Sequence, residues 1–244
     1  MTDPNIKVIV TSGCSFTKGE KSWPNHLSLI LNKDLVNLGK MSAGNGYISR
    51  STIYQILELL KIYNNDQLLV GIMWSGASRH EIYKEKIDYN KINQQGTENP
   101  ISFIDDEHWT ILNHHWTDYY SRNYYSSFYD EIFSYVITLE HILRTQWFLD
   151  RKKIKYFMTT FAPSVLPEKE KQDHPSLQHL YDMINWSRFL PVNSCIDWCI
   201  ESNIPCEDDD NLSLWARHPS DEQQKKFTEN VIIPFLNQKE SYEK

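Results

Sequence analysis

The chain has 244 residues, 40% hydrophobic, 23% charged and 13% aromatic, with a formal net charge of -7. That length and apolar share suit one globular domain, and no uncharged run approaches the roughly 20 apolar residues that span a bilayer. The acidic balance argues against a phosphate-backbone binder, so neither nucleic acid nor a membrane is an expected partner.

The first residues, Met1-Thr-Asp-Pro-Asn-Ile-Lys7, lack the basic and apolar regions of a signal peptide. The four cysteines, Cys14, Cys195, Cys199 and Cys206, form no disulfide-scaffold pattern. A reducing, cytoplasmic setting is the expectation. With 14 Tyr, 10 Phe and 8 Trp in a polar chain, the aromatics suggest a recognition surface as well as a core.

In chain order, Lys7–Thr11 is β-branched and runs into Ser12-Gly13, so it reads as a buried strand. Trp23–Asn32 reads as a helix with Ser22 as N-cap and Pro24 in its first turn. Leu35–Leu38 closes on Gly39 as a second strand, and Tyr47–Tyr63 has the apolar spacing of an amphipathic helix. Gln67–Trp74 is a third, near-continuous apolar strand of the kind covered on both faces. The order βαβαβ predicts an α/β fold with a parallel sheet. From about 81 to 125 the periodicity fails, which marks an aromatic-rich insertion. Phe128–Asp150 predicts a long helix and Ile154–Thr159 a fourth strand, followed by a loop over Pro163–Gln172. Shorter helices are expected at Ser176–Trp186 and Asn193–Glu201, and a final helix at Asp221–Asn237, interrupted near Pro234. No repeat or linker divides residues 1–244, so one domain is expected.

The chemistry concentrates where strands end. Gly13-Cys14-Ser15-Phe16-Thr17 follows the first strand, and sites in open α/β sheets lie outside the carboxyl ends of the strands. Local sequence leaves Ser15 two readings, a nucleophile or a serine that merely caps the next helix. Cys14 is expected to pack as a small hydrophobe rather than act as a thiol. The second strand ends in Asn37-Leu-Gly-Lys-Met-Ser-Ala-Gly-Asn45, the third in Met73-Trp-Ser-Gly-Ala-Ser-Arg79, and His218-Pro219 opens the last helix.

These blocks resemble the SGNH (GDSL-like) hydrolase family, and more closely its divergent bacteriophage-type members. The resemblance implies a flavodoxin-like three-layer α/β/α sandwich and a serine esterase acting on an O-acyl ester, such as an O-acetylated glycan. It makes Ser15 the nucleophile and His218 its base. The oxyanion hole would draw on Ser15, Ser42, Gly44, Asn45 and Ser75. Two family elements are absent. Trp74-Ser75-Gly76 stands where Gly-x-Asn-Asp is usual, and Trp215-Ala216 where an aspartate precedes the histidine. Asp208, Asp209 or Asp210, or a backbone carbonyl, would orient His218 instead, and an alternative reading is a glycan- or protein-binding module on a weakened hydrolase scaffold.

No cofactor is expected. Neither Cys195, Cys199 and Cys206 nor His108, His114 and His115 has zinc-site spacing, and no nucleotide-binding glycine fingerprint occurs. Trp74, Arg79, Trp116, Tyr120 and Arg122 are the expected substrate-cleft residues, the arginines suiting an anionic or polyhydroxyl substrate. Expected partners are therefore a small-molecule or glycan ester, in the cytoplasm of a bacterial host if the chain is phage-encoded.

Overall fold

The computed structural model describes residues 3–83, 109–204 and 218–240. Six strands occur among them: β1 (Val8–Ser12), β2 (Asp34–Asn37), β3 (Leu68–Trp74), β4 (His80–Tyr83), β5 (Trp109–Leu112) and β6 (Lys155–Thr160). Four form a parallel sheet in the order β2-β1-β3-β6, while β4 and β5 pair antiparallel with His80 opposite Leu112. The helices are α1 (Trp23–Leu31), α2 (Asn45–Leu59), α3 (Tyr119–Ser127), α4 (Glu131–Arg151), α5 (Lys169–Gln172), α6 (Gln178–Met183), α7 (Cys195–Glu201), α8 (Asp221–Phe227) and α9 (Ile233–Glu240).

Every residue of β1 and β3 is buried, because helices cover both faces of these central strands. On one face Trp23 of α1 meets Phe157 at 5.8 Å between ring centroids. On the other, Ser12 donates to the Ile48 carbonyl of α2, and Gln146 of α4 reaches Met158 of β6. The expected α/β/α layering is thus present. The outer edge of β6 is closed by a parallel bridge between Met158 and Phe189, which leaves fewer unpaired backbone groups there.

Local chemistry sets the element ends. Ser22 occupies the expected N-cap of α1, yet its hydroxyl donates to Thr17 O and Gly19 O instead of capping. The Trp23 N–H is satisfied by Gln224 Oε1 of α8 at 3.1 Å, which ties the two ends of the chain together. The interruption expected near Pro234 is a π-helical turn, Thr228–Ile232, just before α9. A proline inside a helix removes one N–H and clashes with the preceding turn, and widening that turn relieves both.

Two expectations about irregular segments need correction. The loop predicted at Pro163–Gln172 contains a 3₁₀ turn, Pro163–Val165, and the short helix α5. The described ends of the 81–125 excursion are regular: β4 pairs with β5, and Asp118 caps α3 by accepting from the N–H groups of Tyr120 and Ser121. Residues 84–108 of the excursion lie outside the described residues.

Candidate active site

The turn after β1 is shaped by Gly13. A Cβ there would lie 2.1 Å from Thr17 Oγ1 and 3.0 Å from the Met73 carbonyl, so only glycine permits this approach. The Thr17 and Lys18 N–H groups fold back onto Cys14 O. Cys14 then points into the core, fully buried, where Cys195 and Cys199 are also free, buried thiols. Ser15 is left half-buried at the carboxyl end of the sheet. Asn37, at the end of β2, locks the neighbouring loop to this turn: its amide donates to Thr17 O at 2.7 Å and accepts from the Gly39 N–H at 2.9 Å.

His218, just ahead of α8, completes the pair. Its Nε2 lies 2.7 Å from Ser15 Oγ, and its ring packs 4.9 Å from that of Phe16. Asp208, Asp209 and Asp210, the expected orienting acids, lie outside the described residues, as do Cys206 and His108.

The expected oxyanion donors divide. Asn45 is buried and its amide is spent on Ser75, accepting from the Ser75 N–H at 2.8 Å and donating to the Ser75 carbonyl at 2.9 Å. The Ser75 hydroxyl accepts from Arg79 Nη1 at 2.9 Å. The Gly44 N–H donates to Glu81 Oε1 at 3.1 Å. Asn45, Ser75 and Gly44 are therefore structural members of this rim, because each polar group in question already has a partner. The N–H groups of Ser15 and Ser42 make no hydrogen bond among the described residues. Ser42 has a left-handed φ of 59°, a conformation that costs a non-glycine residue roughly 1–2 kcal/mol.

Sequence reading missed Glu81. Gly44 has no side chain to cap α2, and the Glu81 carboxylate, arriving from β4, caps it from across the fold by accepting from the Gly44 and Tyr47 N–H groups. Arg50 Nη2 stands 3.4 Å from the same carboxylate. A Cβ on Gly44 would come within 2.5 Å of the Arg79 carbonyl and 2.6 Å of Glu81 Oε1, so this packing also requires glycine. Burial pushes the Glu81 carboxyl above its ordinary range, against the pull of Arg50 and the two N–H groups.

Two histidines, His80 and His141, line a cavity of about 270 Å³ together with Arg50 and Glu81. Burial holds His80 at about 4, and burial aided by Arg144 and Arg50 holds His141 at about 3. A histidine with a depressed folded pKa binds its proton more weakly than in the unfolded chain. Its stabilising contribution is full above about pH 6.5 and is lost as pH falls toward the folded value. From pH 7.5 to 5 we expect each to cost about 2 kcal/mol, with Glu81 acting in the opposite direction. Urea midpoints across this range should fall more steeply in the wild type than in His80→Gln, and parallel slopes would contradict the assignment.

Of the five expected cleft residues, only Arg79 lines the large cavity at the carboxyl end of β6. Trp74 is fully buried, its indole N–H aimed at Met158 Sδ, because its position in β3 faces the α2–α4 layer. Tyr120 is buried, Trp116 packs half-buried on the core and Arg122 is exposed on α3. The aromatic lining comes instead from Phe161, Tyr181, Trp186 and Phe189. Their irregular spacing, in short helices and turns, gives no periodic signal.

A family model described as a family of unknown function, DUF6071, matches residues 10–232. Among solved structures, the chain is similar to a G-D-S-L family protein from Desulfitobacterium hafniense DCB-2, at 15% identity and a TM-score of 0.40, over 91% of this chain and 96% of that one. It is also similar to a member of the lipolytic protein G-D-S-L family from Veillonella parvula DSM 2008, at 10% identity and a TM-score of 0.41, over 91% and 94%. No curated protein matches. None of these findings supports the expected bacteriophage origin.

Proposed function

The chain belongs to DUF6071, a family of unknown function, and we propose from its own geometry that it is a serine esterase cleaving an O-acyl ester, with O-acetylated glycans as a candidate substrate class. The observation that carries this reading is the 2.7 Å contact between Ser15 Oγ and His218 Nε2 on a glycine turn outside the central strand. A serine hydroxyl is a weak nucleophile until a base takes its proton, and neutral imidazole is suited to that task near neutral pH.

Ser15 Oγ attacks the acyl carbon while His218 Nε2 accepts the hydroxyl proton. The tetrahedral oxyanion is held by the Ser15 and Ser42 N–H groups, which make no hydrogen bond among the described residues. Collapse expels the alcohol, which takes the proton from His218. Water, deprotonated by the same ring, then attacks acyl-Ser15 and releases the carboxylic acid. These steps use no metal or cofactor. No helix among the described residues is long and apolar enough to cross a membrane, and a cytoplasmic setting belongs to the same proposal.

Mixing the protein with 4-nitrophenyl acetate should release nitrophenolate catalytically, and acid quenching should trap one acetyl group on the peptide containing Ser15. Release no faster than in buffer would sink the esterase. One observation favours a second reading, a scaffold that binds without turning over: the Gly44 and Ser75 N–H groups are already engaged. In that case a fluorophosphonate probe leaves Ser15 unlabelled while glycan or protein ligands bind tightly.

A further inference from the structure

We propose that the large cavity at the carboxyl end of β6 is a subsite for an anionic, ring-bearing part of the substrate, with Arg79 pairing to its carboxylate or phosphate. This rests on the esterase reading for its position in the reaction, but the binding claim stands on the cavity itself. The cavity has a volume of about 1150 Å³, just above the roughly 300–1,000 Å³ of small-molecule sites. An acetyl group alone would leave most of it empty.

Position links the cavity to the chemistry. Phe161 lines it and packs 5.1 Å from Phe16, whose ring is in turn 4.9 Å from His218. A run of three rings thus leads from the cavity wall to the Ser15–His218 pair. Deeper along the wall, Trp186 sits between Tyr181 at 4.4 Å and Phe189 at 5.0 Å, and its indole N–H is fixed on Tyr181 O. Such faces suit a flat ring or the apolar face of a sugar.

Charge gives the class of ligand. Among the described residues, Arg79 is the one lysine or arginine that lines the cavity, and it has no carboxylate partner there. Its guanidinium donates from Nη1 to Ser75 Oγ and lies 5.3 Å from the Phe161 ring centroid. Tyr125 fastens the same loop by donating to the carbonyls of Ser78 and Leu112. The cation is therefore held in place by stacking and a hydrogen bond, with further N–H groups left for a bidentate oxyanion. Glu168, the one carboxylate lining the cavity among the described residues, is exposed and would turn an anion toward the Arg79 end.

The test is equilibrium binding to the Ser15→Ala protein, which leaves an ester intact. The probes are 6-acetoxy-2-naphthoate, 6-acetoxy-2-naphthyl phosphate and the neutral methyl 6-acetoxy-2-naphthoate, followed by calorimetry. At least one anion should bind about tenfold or more tightly than the neutral ester, and the order of the two anions identifies carboxylate or phosphate as the natural group. Adding Arg79→Met should reduce that preference to about one, and Arg79→Lys should restore part of it. Equal binding of charged and neutral probes, a preference that survives Arg79→Met, or no binding of any probe overturns the proposal. Failure of the esterase reading would show separately, as wild-type protein that binds the probes and leaves them uncleaved.

Discussion

Replacing Ser15 by alanine should lower ester turnover by at least about 10³-fold, to the level left by binding and oxyanion donors alone. The fold should not change. Ser15 is half-buried and its hydroxyl contacts His218 at an exposed position, so no buried group is orphaned. We expect a urea midpoint shift equivalent to less than about 0.5 kcal/mol. His218→Gln should cost about 10²–10⁴-fold, because an amide can accept the Ser15 hydrogen bond but cannot carry its proton away. Residues that act as a unit do not add, so the double variant should be no slower than Ser15→Ala. A double variant much slower than either single one would separate the two residues.

Glu81→Ala should be among the most destabilising single substitutions in the described residues. The side chain is 3% exposed, and its removal strands the Gly44 and Tyr47 N–H groups and takes the Glu81 carboxylate away from Arg50. Breaking such a buried arrangement from one side costs about 3–5 kcal/mol. Glu81→Gln is the informative companion. Burial already disfavours the charged carboxylate, and the amide oxygen still accepts from the helix N-terminus, so most of the stability should return. Urea unfolding measures both. Equal losses in the two variants would mean that charge, not capping, is what α2 requires.

Much of the fold is legible in the residues, for identifiable reasons. β1 and β3 are continuous apolar runs because both faces are covered, and a run of that kind reads as a strand whatever surrounds it. The Ser15–His218 pair was reachable because Gly13-Cys14-Ser15 and His218-Pro219 sit at recognisable ends of elements. Glu81 was not, since its partners are N–H groups 34 to 37 positions earlier and backbone donors carry no side-chain signature. Asn45 and Ser75 have the right residue types for an oxyanion hole, and only three-dimensional pairing reveals that they satisfy each other. The aromatic surplus misled by position. Composition pointed to the 81–125 segment, while the rings that border the cavity come from Phe161 and the segment around Trp186, brought there by the parallel bridge at Phe189.

The most direct measurement is covalent labelling of the wild-type protein with a fluorophosphonate, read by intact mass and peptide mapping. An activated serine beside a neutral imidazole should take up one equivalent on Ser15, with labelling lost in Ser15→Ala and strongly slowed in His218→Gln. Wild-type protein that stays unmodified, or is modified at any residue other than Ser15, would contradict the assignment of Ser15 and His218 as the reacting pair.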